Sequence, residues 1–125
     1  MDYEVIDREK RGGKLFTAPG VKIGRRVSID TSGNVELLGG VTVGEDVLIL
    51  THEHEDGMHQ SQDAVNVYPK KIHRDVFIGP RAIVLPKCQF VGEGAIIGAG
   101  AVVGSNVPPG AVIKGNPGVI VRYVK

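Results

Sequence analysis

Residues 91–104 read VGEGAIIGAGAVVG, and this stretch decides the fold. It holds three aliphatic–glycine pairs at a spacing of six residues: Val91-Gly92, Ile97-Gly98 and Val103-Gly104. Ala95 and Ala101 stand two positions before Ile97 and Val103. Because residues two apart in an extended segment point to the same face, each unit predicts a short strand with two inward side chains. A tight corner follows, where glycine is favoured because it adopts positive φ at little cost.

The same period extends upstream through most of the chain. Further pairs are Ile23-Gly24, Val43-Gly44 and Ile78-Gly79. Three such strands make one triangular coil of about 18 residues, and successive coils stack at about 4.8 Å. We therefore predict an all-β fold, a parallel β-helix of about four coils. An α-helical chain would show a 3.6-residue spacing, and an antiparallel sandwich does not predict a period of six.

Composition agrees with this fold and excludes several function classes. The 125 residues include 18 glycines, roughly twice the average of about 7%. With 15 basic and 14 acidic residues and 5% aromatic residues, the chain lacks the charge and stacking surface of a nucleic-acid-binding protein. No apolar run approaches the ~20 residues of a membrane helix, and the charged start lacks the apolar core of a signal peptide. We expect a cytoplasmic protein with no membrane partner.

The six-residue period is interrupted twice. Val91 follows Ile78 by 13 residues rather than 12, so one extra residue lies within 85–89. The larger break, 51–70, reads THEHEDGMHQSQDAVNVYPK and holds three of the four histidines. Long excursions from a rigid scaffold are usually functional. We predict one domain over 1–125, divided into a lead-in (1–20), first coils (21–50), a histidine-bearing loop (51–70), later coils (71–113) and a tail (114–125).

At its C-terminal end the chain resembles a known family. The hexads, the Thr51-His52 loop start, the IGAG motif at 97–100 and the PPG and GNP motifs at 108–110 and 115–117 are similar to those of the hexapeptide-repeat acyltransferases. The likeness is greatest to the maltose, galactoside and capsule-sugar O-acetyltransferases. It implies a left-handed β-helix and a homotrimer, with acetyl-coenzyme A bound between subunits. It also implies acetyl transfer to a hydroxyl, or alternatively an amine, of a small sugar or sugar conjugate.

Such a transfer needs a base, oxyanion donors and a groove that aligns both substrates. Histidine suits the first role because imidazole titrates near neutral pH. His52 matches the family's catalytic histidine, which implies that it deprotonates the acceptor for direct attack on the thioester. His54, two residues on, is the alternative base or could orient His52. His59 and His73 are interpreted as surface residues.

The resemblance also implies residues that hold coenzyme A. Ala99 matches a family contact, and Pro80 occupies another, although proline has no N–H to donate. Lys114 and Arg122 are candidates for the cofactor phosphates, with solvated surface charges as the alternative interpretation. We expect no metal, and we interpret the lone Cys88 as a packing residue rather than a nucleophile.

Two other functions remain open at this point. The γ-type carbonic anhydrases share the scaffold and bind zinc through three histidines, and His54 and His59 match part of their spacing. Zinc needs three ligands around one point, whereas these histidines lie in one irregular loop. The second alternative is a non-catalytic β-helix scaffold, for which the histidine-rich excursion has no explanation.

Overall fold

The computed structural model describes residues 2–54 and 65–124. Within these ranges the secondary structure consists of short strands: the first fifteen are two or three residues long, and the last two have four and five residues. The strands are β1 (Glu4–Ile6), β2 (Leu15–Thr17), β3 (Lys22–Ile23), β4 (Ser28–Asp30), β5 (Val35–Leu37), β6 (Thr42–Val43), β7 (Leu48–Ile49), β8 (His52–His54), β9 (Val65–Val67), β10 (Lys70–Ile72), β11 (Phe77–Ile78), β12 (Ile83–Val84), β13 (Phe90–Val91), β14 (Ile96–Ile97), β15 (Val102–Val103), β16 (Ala111–Lys114) and β17 (Val119–Tyr123).

Three stacked sheets form the walls of a prism. Sheet A has the order β1-β4-β7-β12-β15, sheet B β13-β10-β5-β2, and sheet C β17-β16-β14-β11-β6-β3. Apart from the final β16–β17 pair, the neighbours within these sheets are parallel. The chain visits the three sheets in turn, which makes a β-solenoid of about 5 turns. The predicted all-β parallel β-helix is confirmed.

The number of coils is larger than the sequence pattern indicated. The segment 1–20, expected as a lead-in, contributes β1 to sheet A and β2 to sheet B. Val5 in β1 pairs with Ile29, and Leu15 in β2 pairs with Val35. β1 and β2 lack the aliphatic–glycine pairs, and their side chains are exposed or half-buried at the end of the stack.

The core is a column of inward aliphatic side chains at the predicted positions. Ile29 pairs with Ile49, and Ile78 pairs with Ile97, and all four side chains are fully buried. Their removal from water is the main favourable contribution to folding, at roughly 25 cal/mol per Å² of apolar surface.

The hexad glycines have a different cause from the one predicted. A Cβ on Gly79 would lie 2.6 Å from the Ala99 backbone nitrogen of the next turn, so close packing between turns excludes a side chain. Positive φ occurs two residues later, at Gly94 and Gly100 but also at Asp46 and Arg81. The residue with left-handed backbone conformation therefore lies two positions after the hexad glycine and not at the glycine itself.

Both interruptions of the period have a structural basis. β8 and β9 form an antiparallel hairpin between β7 and β10, and residues 55–64, including His59, lie outside the described residues. At the second interruption, the buried ammonium of Lys70 donates to the backbone carbonyls of Leu85, Pro86 and Cys88 at 3.2, 3.3 and 2.7 Å. Residues 2–54 and 65–124 contain no helix long and apolar enough to span a membrane.

Candidate active site

His52 begins β8, where the chain leaves sheet A, and its ring is fixed by an aspartate of the neighbouring turn. The His52 Nδ1 lies 2.6 Å from Oδ2 of Asp30, the last residue of β4. The Asp30 side chain is fully buried, and that of His52 is 13% exposed. β4 pairs directly with β7, so the stacking of two turns brings together residues 22 positions apart.

Asp30 accepts several hydrogen bonds in addition to that of His52. The Thr51 backbone N–H donates to Oδ2 at 2.9 Å, and the Ser32 hydroxyl and backbone N–H donate to Oδ1 at 2.8 and 3.1 Å. Burial raises the pKa of Asp30, but the bonds from His52, Thr51 and Ser32 outweigh burial and lower this pKa from 3.8 to about 2. Asp30 is therefore a carboxylate at neutral pH.

The charge on Asp30 determines which nitrogen of His52 is protonated. A carboxylate can only accept, so the Nδ1 of His52 must carry the hydrogen in the 2.6 Å bond. In the neutral imidazole the lone pair then lies on Nε2. Its neighbour Glu9 Oε2 is 3.7 Å away, beyond hydrogen-bond distance. His52 thus presents a proton acceptor on the side opposite Asp30.

A second histidine and a glutamate face this acceptor nitrogen. Glu9 Oε2 lies 3.8 Å from His54 Nε2, and the rings of His52 and His54 meet edge to face with centroids 5.5 Å apart. The side chains of Glu9 and His54 are 11% and 19% exposed. Glu9 enters the site because its backbone N–H donates to the Ser32 hydroxyl at 3.1 Å, next to Asp30. Segment 1–20 therefore contributes to the site.

A largely apolar groove of about 340 Å³ runs beside His52. We call it the His52 groove, and it is lined by Leu50, His52, Glu53, Leu85, Pro86, Lys87 and Gly104. Leu50 and Leu85 lie on consecutive turns because the Leu50 N–H bonds to the carbonyl of Val84, immediately before Leu85. The groove follows the corners between sheets A and B.

Two of the predicted cofactor residues lie together on the other side of sheet A from the His52 groove, at the corners between sheets C and A. Pro80 and Ala99 line a second groove, of about 450 Å³, with Arg26, Glu45, Asp46, Arg81 and Gly100. We call this the Pro80 groove. The Pro80 carbonyl already accepts the Gly100 N–H at 2.9 Å, so its backbone serves the stacking of turns. Arg81, the residue after Pro80, adds a positive charge near Asp46.

The other two predicted cofactor residues do not line the Pro80 groove. Lys114 ends β16 and stacks above Gly98, where an added Cβ would lie 3.3 Å from its Cγ. That position neighbours Ala99. Arg122 lies on β17, opposite Val112, and is exposed. Lys114 therefore lies nearer to Pro80 and Ala99 than Arg122 does.

Cys88 and His73 have structural surroundings. The Cys88 thiol is buried, which raises its pKa, and a raised pKa suppresses the nucleophilic thiolate. The His73 ring packs on Phe90 with centroids 4.7 Å apart. Neither residue lines the His52 groove.

Sequence reasoning missed Asp30, Glu9 and Arg81. Asp30 follows an inward isoleucine and begins the polar run Asp30-Thr31-Ser32. The corresponding corner position one turn later is the aliphatic Leu50, so a polar run at this corner was a recognisable signal. Arg81 is a basic residue directly after a predicted cofactor contact. Glu9 stands in an irregular corner of the first turn, and no pattern in the sequence marks it.

Comparison with known proteins identifies the fold. No family model matches the chain, and a search of curated proteins finds no match. A hexapeptide-repeat-containing acetyltransferase from Vibrio cholerae superposes with a TM-score of 0.79 at 20% identity, over 90% of this chain and 71% of that one. Its complex with acetyl-coenzyme A has also been solved.

Two further solved structures share the coil. A maltose O-acetyltransferase from Clostridium difficile matches with a TM-score of 0.78 at 24% identity, over 89% of this chain and 59% of that one. A galactoside acetyltransferase in complex with coenzyme A matches with a TM-score of 0.74 at 19% identity, over 94% of this chain and 68% of that one. The chain thus has the fold of the hexapeptide-repeat acetyltransferases, the family that its motifs resemble.

Proposed function

We propose that the protein transfers an acetyl group from acetyl-coenzyme A to a hydroxyl of a sugar or sugar conjugate, with His52 as the general base. The observation that carries this proposal is the Asp30–His52 pair, whose 2.6 Å hydrogen bond leaves the Nε2 lone pair free at the mouth of a groove. Solved neighbours with this fold include maltose and galactoside acetyltransferases, some with coenzyme A or acetyl-coenzyme A bound.

The chemistry follows from this arrangement. The Nε2 of His52 takes the proton of the acceptor hydroxyl. The hydroxyl oxygen attacks the thioester carbonyl at the same time, which forms a tetrahedral intermediate. The intermediate expels the coenzyme A thiolate, which takes the proton back from the imidazolium, so that the products are the acetyl ester and free thiol. Asp30 stabilises the imidazolium and keeps the ring oriented. No acyl-enzyme forms, which agrees with the buried thiol of Cys88.

The two grooves define a path for the donor. They lie at the two ends of β12, between Arg81 and Leu85. The outward side chains of sheet A between them, Leu48, Ile83 and Val102, are half-buried aliphatics in one column. The pantetheine arm would follow this column from the Pro80 groove to His52, with Arg81 and Lys114 near the phosphates. A neighbouring subunit of a homotrimer would close the path.

The acceptor would bind on the other side of His52. The carboxylate of Glu9 lies 3.7 Å from the reacting nitrogen, and carboxylates accept hydrogen bonds from hydroxyl pairs of the kind that sugars present. His54 borders the same space. A hydroxyl acceptor suits this polar pocket because its proton must be removed during attack.

A thiol-release assay tests the proposal. Purified protein is given acetyl-coenzyme A and a panel of sugars and nucleotide sugars, and free thiol is measured. With the preferred acceptor, His52→Asn should lower kcat at least ~10²-fold, the usual effect of losing a general base. His73→Asn, a histidine outside the site, should retain the wild-type rate, and both variants should keep the wild-type circular dichroism spectrum.

Two results would contradict the assignment. A near-wild-type kcat in His52→Asn would remove His52 as the base and point to His54. An absence of acceptor-dependent thiol release across the panel, with acetyl-coenzyme A binding also absent by calorimetry, would reject the acetyltransferase proposal.

A further inference from the structure

We propose that Glu9, His52 and His54 form a binding site for a divalent transition-metal ion of the Zn²⁺ type. One carboxylate oxygen and one nitrogen from each imidazole lie within 4.8 Å of one another in this cluster. Glu9 comes from the first turn and the two histidines from the excursion within the third, so the spacing along the chain does not indicate that the three lie together. This inference goes beyond acetyl transfer.

The distances suit a metal after a small contraction. Glu9 Oε2 lies 3.7 Å from His52 Nε2 and 3.8 Å from His54 Nε2. Ligand atoms at about 2.0–2.1 Å from a tetrahedral zinc ion are about 3.4 Å apart. Each of these two pairs must therefore close by only a few tenths of an ångström, and the three ligand atoms already lie within 4.8 Å of one another. The fourth position is left to solvent, as in three-ligand zinc sites.

The surroundings supply what a ligating histidine needs. Metal-bound histidines usually donate their other ring N–H to a carboxylate, which fixes the tautomer and makes the ligating nitrogen more basic. His52 does this before any metal is present, through its 2.6 Å bond to Asp30. The bond aims the Nε2 lone pair at the centre of the cluster.

An unpartnered polar atom gives an independent indication of a missing cation. Glu9 Oε1 is buried and has no hydrogen-bond partner among the described residues. A buried carboxylate oxygen is costly unless it is paired, and a metal ion held by Glu9 Oε2 would balance the charge of this carboxylate. Nδ1 of His54 is likewise buried and unpartnered within this part of the structure.

The ligand set selects the class of ion. Two imidazoles and one carboxylate favour Zn²⁺, Co²⁺, Ni²⁺ or Cu²⁺, whereas Mg²⁺ and Ca²⁺ require predominantly oxygen ligands. We therefore expect binding of Zn²⁺ and Co²⁺ but not of Mg²⁺ at comparable concentrations.

Metal binding has a consequence for the proposed reaction, and this step rests on the proposed function. The lone pair on His52 Nε2 that would accept the acceptor's proton is the same lone pair that would bind the metal. Both cannot occur at once, so Zn²⁺ should inhibit acetyl transfer reversibly, and a chelator should restore the rate.

Cobalt titration tests the site directly. Protein dialysed against a chelator and then against metal-free buffer is titrated with Co²⁺ and followed by visible absorption, since a four-coordinate Co²⁺ site absorbs intensely. We expect one ion per chain. Glu9→Gln and His54→Gln should each weaken binding at least about 10-fold, while His73→Gln should bind as the wild type does.

The outcomes separate the two proposals. Failure to bind Co²⁺ or Zn²⁺ at micromolar concentration, or binding that is unaffected by both Glu9→Gln and His54→Gln, would overturn the site whatever the enzyme's activity. Cobalt binding with the expected variant pattern would support the site even if no acceptor were found. Inhibition of thiol release by Zn²⁺ that Glu9→Gln relieves would support the link between them.

Discussion

Asp30 and Lys70 are the buried charged residues of the described part of the chain, and they have different structural roles. Each pairs with an aliphatic residue of the neighbouring strand: Asp30 with Ile6, and Lys70 with Val35. Asp30 is bonded to a side chain, His52, that faces the groove. The Lys70 ammonium is bonded to three backbone carbonyls of residues 85–88.

The two residues show how one scaffold uses a buried charge in two ways. Hydrogen bonds from His52, Thr51 and Ser32 hold Asp30 ionised, so its charge orients a neighbour whose other nitrogen is free to react. Burial lowers the pKa of Lys70 to about 8, and its ammonium bonds three backbone carbonyls of an irregular corner. The first charge positions a functional group, and the second positions backbone.

The largest predicted effect is on the Asp30 side of this comparison. Asp30→Asn preserves the shape but removes the charge that fixes the His52 tautomer. We expect kcat for thiol release to fall about 10²-fold, a barrier increase of about 2.7 kcal/mol, with KM for acetyl-coenzyme A unchanged. Steady-state kinetics with the preferred acceptor measure both parameters.

The split between kcat and KM is what identifies Asp30 as a positioning residue. A general loss of structure would raise KM together with the fall in kcat. A variant with wild-type kcat would show that the 2.6 Å bond to His52 has no part in the reaction.

The next effect is on stability and belongs to the Lys70 side. Lys70→Met keeps the apolar stem but leaves the carbonyls of Pro86 and Cys88 without the ammonium that bonds them. We expect the free energy of unfolding to fall by about 2–3 kcal/mol, as measured by urea denaturation. Lys71→Met, on the exposed side of the same strand, is the matched control and should change stability much less.

Activity completes the comparison between the two charges. The folded fraction of Lys70→Met should transfer acetyl groups at the wild-type kcat. A loss of kcat comparable to that of Asp30→Asn would show that both buried charges serve the reaction and would remove the distinction between them.

The same contrast explains what the sequence could predict. The inward positions Ile29, Ile49, Ile78 and Ile97 follow a local period, because each strand repeats the same environment. His52 was identified because it stands where that period ends. Its partners could not be identified, because their proximity depends on register between turns: Asp30 reaches His52 only when β4 stacks on β7.

The backbone conformation of the corners was likewise only partly predictable from the sequence. The positions of the hexad glycines were predictable, but their cause was not. Gly79 is required because Ala99 of the next turn packs against it, a contact that a single strand does not reveal. The left-handed residue two positions later is Arg81 in one turn and Gly100 in the next, so composition alone does not locate it.

The smallest predicted effect is the dependence of stability on pH, and it isolates the charge of Asp30. Its pKa in the folded protein is about 2, below the ordinary 3.8, so the folded state binds this proton less tightly than the unfolded state does. The resulting stabilisation is present above pH 4, and it is lost as the pH falls from about 4 to about 2. The shift corresponds to about 2 kcal/mol.

Urea denaturation at a series of acidic pH values should show this loss in the wild type and a shallower one in Asp30→Asn. Asp46→Asn, which removes a half-buried carboxylate paired with Arg26, should retain the wild-type slope more closely. Equal slopes in the wild type and Asp30→Asn would mean that the carboxylate of Asp30 is not held ionised by its neighbours, and the fixed tautomer of His52 would lose its cause.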